Sequence, residues 1–293
     1  MGHAPGRGIP APLDTNEAAN VKRIVLVILL IALSIAAGST AQPSSLRIFL
    51  RGGPKTHGPA GNGLHDGEVW VREWVPLLRS RGATVEGAIR FPTAEELART
   101  DVLVMFAADA GTILGADRAN LETFLKRGGG IVCLHDCVVT SQDPQWFKTI
   151  VGGSWENRVA KYFEGENTYY YVSPEHPIVK GAANFTITDE VYWDLHMMPN
   201  VQVLASSMQP VRPPPAASAT GGAPIRTLIP QIWVYERQLD GGVPYRAFVS
   251  LLGHHFTTFS SPHARAIFLR AIAWTGKRDV DLLTTPEEVR ALQ

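Results

Sequence analysis

Cysteine is almost missing from this chain: Cys133 and Cys137 are the only two in 293 residues. The fold therefore has to rest on a packed interior, for which 45% hydrophobic residues suffice. If Cys133 lies inside a strand and Cys137 beyond its end, extended spacing separates their Cα atoms by about 10 Å or more, too far for a bridge. Two free thiols are the expectation. Excess charge is missing too, since 27 Lys and Arg balance 27 Asp and Glu, with no long basic run. Without a positive field to attract a phosphate backbone, nucleic acid is excluded as the expected partner.

Long apolar runs are likewise scarce. The one near the amino terminus, Ile24 to Ala37 after Lys22-Arg23, covers about 21 Å as a helix, short of a hydrocarbon core about 30 Å thick. Small residues come after it at Ser39-Thr40-Ala41, so residues 1–41 read as a disordered leader with a secretory signal peptide cleaved near Ala41. Export to the periplasm or medium is the expected localisation. The alternative is an uncleaved anchor, because residues 24–46 carry no charge, and only through that segment would the protein touch a membrane.

The rest of the chain is organised around Gly128 to Cys137 (GGGIVCLHDC). Three glycines stop a helix, Ile131 to Leu134 form a short strand apolar enough for burial on both faces, and His135-Asp136-Cys137 come where the strand ends. Residues just past a central strand line the ligand crevice of an open α/β sheet, so His135 is expected to face solvent there.

Upstream, strands at Ser45–Arg51, Thr84–Arg90 and Asp101–Phe106 alternate with helical patterns, the signature of a doubly wound, flavodoxin-like, mostly parallel sheet. Trp70, Trp74, Leu77 and Leu78 mark the apolar face of one helix, which Pro76 is expected to kink or restart. Thr93 to Glu96 is a capping box, and Leu121, Phe124 and Leu125 belong to a further helix. Gly52 to Gly67 makes a long loop of the kind that usually carries function. Downstream the pattern turns to β, at 169–172, 186–187, 201–205, 231–237 and 246–252, which predicts an antiparallel C-terminal extension with a hairpin near Asp240-Gly241-Gly242. Pro210 to Pro224 reads as a flexible insertion. Ser261-Pro262 opens a helix burying Ile267, Phe268, Ala271 and Ile272, and Thr285 to Glu288 caps a short helix in the tail. The domain is placed at 45–277, with 278–293 as the tail.

Taken in order, Gly63-Leu64-His65, the glycine turn into Leu134-His135, Trp146 with Val151-Gly152-Gly153, His176-Pro177-Ile178 with Gly181, Asp189-Glu190 with Tyr192, Leu252-Gly253-His254, and Ala273-Trp274 resemble the ThuA-like (trehalose utilisation) family. The resemblance implies the class I glutamine amidotransferase-like fold, a link to carbohydrate utilisation and a metal site. A nucleophile elbow needs an exposed reactive atom on a sharp turn, and that turn falls nearest His135, leaving no Cys-His-Glu triad; glutaminase activity is not expected.

Four histidines, His57 and His65 after the first strand, His135 after the fourth and His254 after the last long strand, sit on loops that share one sheet edge, which makes them candidate ligands for a divalent metal such as zinc. His135, Glu190 and Asp189 are the candidate catalytic residues, the acidic pair ending a strand as base, ligand or sugar-hydroxyl acceptor. Trp155, Tyr169, Tyr170, Tyr171, Tyr192 and Trp193 are placed to stack on sugar rings. His176 reads as a turn residue, His263 as part of a first helical turn and His255 as a bystander, while His196 has no assignment. The expected function is a metal-assisted hydrolase, lyase or isomerase of a sugar or glycoside derivative; the alternative is a non-catalytic carbohydrate-binding or accessory module using the same crevice.

Overall fold

The structure, a computed structural model, describes Met1, Gly2, residues 45–210 and residues 227–293. The signal-peptide reading and the proline-rich insertion after Pro210 lie outside these residues. Among the described residues no helix is long and apolar enough to cross a membrane.

From Ser45 onward the order is β1 (Arg47–Gly52), α1 (Gly67–Ser80), β2 (Thr84–Ala88), α2 (Ala94–Ala98), β3 (Val102–Phe106), α3 (Gly115–Lys126) and β4 (Gly130–Leu134). A 3-10 turn (His135–Val138), β5 (Val139–Thr140), α4 (Pro144–Val151) and β6 (Gly153–Glu156) come next. The chain continues through β7 (Lys161–Tyr171), β8 (Phe185–Trp193), β9 (His196–Met197), β10 (Gln202–Met208), β11 (Leu228–Arg237) and β12 (Tyr245–Ser250), and closes with α5 (Phe256–Ser260), α6 (Pro262–Thr275) and α7 (Pro286–Arg290).

Nine strands form one sheet in the order β2-β1-β3-β4-β12-β11-β10-β7-β8, parallel from β2 to β12 and antiparallel beyond. This is the doubly wound architecture with the expected antiparallel extension. The parallel strands β3 and β4 are buried along their whole length, which is why they read as uninterrupted apolar runs. Alternate residues feed two cores. Ile48, Val104, Val132 and Phe248 pack with Trp70, Trp74 and Phe268 on one face, while Phe49, Met105, Ile131 and Val249 pack with Leu121, Phe124 and Phe147 on the other.

The register aligns the strand ends. Gly52 lies opposite Phe106, Phe106 opposite Leu134, and Leu134 opposite Ser250, so the loops after β1, β3, β4 and β12 leave the sheet at one level. Both expected capping boxes form, at Thr93 with Glu96 and Thr285 with Glu288. α1 contains Pro76 within its span and is not restarted there; the residue sits one turn before the helix ends, where its missing N–H removes a single bond. Asp189 and Glu190 do not end a strand but stand inside β8, which is longer than its apolar core because β7 pairs with it from Lys161 to Tyr169.

Candidate metal centre

The loop after β1 delivers His65, the turn after β4 delivers His135 and Asp136, and the loop after β12 delivers His254. Two of these loops are joined by their backbones: His65 N donates to His254 O (3.3 Å), Phe256 N donates to Gly63 O (2.6 Å), and Leu64 bridges His255. Glycine permits the fit. A Cβ on Gly67 would collide with the carbonyl of Gly53 and lie 2.6 Å from its nitrogen, and Gly253 takes φ 134°, where an added Cβ would lie 3.1 Å from that of His135. His65 (φ 45°) and His135 (φ 53°) also hold left-handed backbone, a sparsely populated state for non-glycine residues that is found at functional sites.

His65, His135 and His254 are buried and offer one ligating nitrogen each, with all three atoms within 4.8 Å of one another. His65 Nε2 lies 2.9 Å from His135 Nε2 and 2.9 Å from His254 Nδ1. Outer partners fix which nitrogens carry protons. His135 Nδ1 faces the Leu251 carbonyl at 2.9 Å, which only accepts, so Nδ1 is an N–H and Nε2 is the nitrogen left to present a lone pair when the ring is neutral. His65 Nδ1 stands 3.1 Å from Asp136 Oδ2 and 2.9 Å from the Thr56 hydroxyl, and a proton on Nδ1 serves the carboxylate. The two Nε2 atoms meet at 2.9 Å, so they are joined either by a proton on one of them or by a cation that both lone pairs bind. Such a donor set fits a divalent metal with nitrogen preference.

A carboxylate layer lies beside the imidazoles. Glu190 Oε2 is 3.5 Å from His254 Nδ1 and 3.6 Å from His135 Nε2, and Asp136 Oδ1 is 3.4 Å from His135 Nε2. The Tyr192 hydroxyl, 2.5 Å from Asp136 Oδ1 and 2.9 Å from Glu190 Oε2, links the two acids. Tyr192 itself is anchored by the buried Gln231 amide, which accepts from Tyr192 N (3.1 Å) and donates to Tyr192 O (2.7 Å). Burial, with the neighbouring imidazoles adding to it, lowers His65 to about 3, and burial with the His135 charge lowers His254 to about 4. At His135 burial also acts downward, but Asp136, Asp189 and Glu190 outweigh it and the net shift is upward. Burial raises Glu190 against the pull of His135 and Tyr192, whereas at Asp136 the imidazoles and Tyr192 overcome burial and lower it. The two acids are thus pushed apart, the arrangement that separates a proton donor from an ionised partner.

Two expectations need correcting. His135 does not face solvent: it is fully buried, although β4 ends at Leu134 as expected. The turn at His135 drops its ring beneath the His65 and Gly253 loops and against Tyr192, and the neighbouring Asp136 carboxylate is paired with Tyr192 and His65. The cysteines are not free thiols. The same turn folds the chain back so that the Cα atoms of Cys133 and Cys137 are 5.3 Å apart, and the two form a disulfide bracketing His135. With both sulfurs bonded, neither cysteine is available as a nucleophile.

The other candidates divide. His57 stays exposed, its ring centroid 4.2 Å from that of His65, but it contributes no atom to the ligating group. Asp189 is fully committed to holding a loop: its carboxylate accepts from Glu190 N (2.7 Å), Gly253 N (3.0 Å), His254 N (3.0 Å) and the Thr258 hydroxyl. Sequence reasoning missed Asp136 as a site residue and gave Tyr192 only a stacking role. The adjacency of Asp136 to His135 was the available signal. Tyr169 is buried against Phe185, whereas Trp155 packs on Tyr192 at 4.8 Å and on the exposed Tyr162 at 6.3 Å. His196 pairs with Glu156 (2.5 Å) and His255 with Glu164 (2.8 Å).

Fold and site together define a doubly wound α/β domain with an imidazole cluster at the carboxyl edge of its parallel strands. The chain belongs to the ThuA family, described as trehalose utilisation, whose family model matches residues 76–275. Among solved structures it is similar to a ThuA-like protein from Bacteroides uniformis, with a TM-score of 0.57 and 15% identity over 84% of this chain and 99% of that one. A ThuA-like protein from Parabacteroides merdae aligns with a TM-score of 0.56 and 15% identity over 79% and 90%. No curated protein matches the chain.

Proposed function

We propose that this protein is an exported, metal-assisted enzyme acting on a sugar or glycoside derivative. In this reading His65, His135 and His254 hold a divalent cation, zinc in the first instance. The observation that carries the reading is His65 Nε2 at 2.9 Å from two other imidazole nitrogens, with the remaining nitrogens of His65 and His135 occupied by Asp136 and the Leu251 carbonyl. Family membership supports the carbohydrate class. Export is supported by the apolar segment after Lys22-Arg23, and a disulfide fits an oxidising compartment.

A bound divalent cation supplies Lewis acidity toward a sugar oxygen or a water. The chain's own groups do the rest. Glu190, whose hold on a proton burial strengthens, is placed to exchange one, with Tyr192 bridging Glu190 and Asp136. Asp136 orients His65, and Asp189 positions His254 through the loop backbone. A cavity of about 10 Å³ beside His65 and Asp136, walled by Gly53, Pro54 and Ala107, has room for about one water.

The test is turnover of trehalose and a panel of glycosides, read by mass spectrometry, on protein stripped with chelator and reloaded with zinc. The reading expects metal-dependent product that Glu190→Gln abolishes. Glycan binding with no turnover, unaffected by Glu190→Gln and His135→Asn, would instead establish the non-catalytic binding module.

A further inference from the structure

At the opposite edge of the sheet, where β3 and β4 begin and α3 and α6 end, a cavity of about 180 Å³ is lined by Asp101, Arg127, Lys277 and Arg278. Its charge is unbalanced. Asp101 is already spent on Arg47, whose Nη2 donates to Oδ1 (2.5 Å) and whose Nε donates to Oδ2 (3.1 Å). Among the described residues Arg127 donates only to the neutral carbonyls of Leu97 and Thr100, and Lys277 Nζ only to the Pro244 carbonyl (2.7 Å). Arg278 Nε is buried without a hydrogen-bond partner among the described residues. A buried donor left unmade costs free energy, and such groups in folded proteins normally have a partner.

Cations at helix carboxyl ends often do no more than offset the helix dipole, so the magnitude matters. The ends of α3 and α6 together present roughly one negative charge, and Asp101 adds one more. Four cations, Arg47, Arg127, Lys277 and Arg278, exceed that by about two. The surplus matches a dianion, and the volume is many times that of the one-water cavity beside His65. Arg278 lines the cavity and its guanidinium makes no hydrogen bond among the described residues, which leaves the planar group to meet a tetrahedral oxyanion once the side chain turns toward it.

We propose that this cavity, on the far side of the sheet from the imidazole cluster, binds a phosphate-type dianion, either the free ion or a phosphomonoester. The site is independent of the metal centre and of the catalytic reading. The experiment is calorimetric titration of the full chain with inorganic phosphate and with glycerol phosphate, against sodium chloride at matched ionic strength. One saturable site is expected, together with a phosphate-dependent rise in melting temperature. Tighter binding of inorganic phosphate identifies the free ion as the ligand, and tighter binding of glycerol phosphate identifies the monoester. Arg278→Gln should weaken binding at least tenfold while leaving the phosphate-free melting temperature close to wild type, since the side chain's Nε makes no bond within the fold. Arg278→Lys, which keeps charge and loses the planar group, should fall between. Phosphate heats no different from chloride would overturn the proposal, as would Arg278→Gln binding phosphate as tightly as wild type.

Discussion

Replacing both cysteines by alanine probes how the turn at His135 is held. The disulfide closes a loop of only about five residues, for which the chain-entropy relation gives about 2 kcal/mol of stabilisation at 25 °C. In a domain of this size that corresponds to a fall in melting temperature of about 4–8 °C. The consequence should reach the site as well, because Cys133 and Cys137 bracket His135, whose left-handed backbone (φ 53°) has no glycine to ease it. A freer turn spends part of its time with His135 displaced, so zinc should bind at least tenfold more weakly, about 1.4 kcal/mol. Urea unfolding and zinc titration of wild type and Cys133→Ala/Cys137→Ala measure both effects. A double variant that unfolds within about 0.5 kcal/mol of wild type would refute this role for the bond, as would two free sulfhydryls found by thiol titration of the denatured, unreduced protein.

Asp189→Asn sets an amide N–H₂ against the donors of Gly253, His254 and Thr258; it should cost about 1–3 kcal/mol and weaken metal binding through His254, read by denaturation and zinc titration. Gly67→Ala forces a Cβ into the Gly53 backbone and should destabilise by about 2 kcal/mol or more while shifting the His65 loop, seen as a lower denaturation midpoint with weaker zinc binding. Thr93→Ala removes one capping box at about 1 kcal/mol, with no effect on the site, as a denaturation midpoint and a zinc titration would show. Hydrogen bonding from Arg90 lowers Glu96 to about 2, so its contribution is present above its ordinary value of 4.5 and is lost as pH falls from there toward 2; in Glu96→Gln that part of the acid-unfolding curve should flatten.

Much of the fold was legible because its rules are local. Apolar runs marked β3 and β4, helical spacing marked the Trp70 and Phe124 faces, and the capping boxes marked two helix starts. The loops carrying His65, His135 and His254 were also legible, since strand order and the carboxyl-end rule bring them to one edge. Geometry set by single unusual residues escaped. A histidine in left-handed conformation after β4 carries no glycine or asparagine to announce it, and its reversal both buries His135 and closes the Cys133–Cys137 bond. The depth of β8 was hidden because β7 and β8 carry polar and exposed residues over half their length, which masks the pairing that sets Asp189 and Glu190 mid-strand. Asp189 then became a loop anchor, a role that depends on backbone amides 64 and 65 residues away.

The convergence of three imidazoles is the central claim, and X-ray absorption at the zinc edge of the reloaded protein tests it most directly. One zinc per chain with three imidazole nitrogens at about 2.0–2.1 Å is the predicted result, with loss of that signature in His65→Ala. Zinc that is absent from the loaded protein, or bound without imidazole scattering, would contradict it.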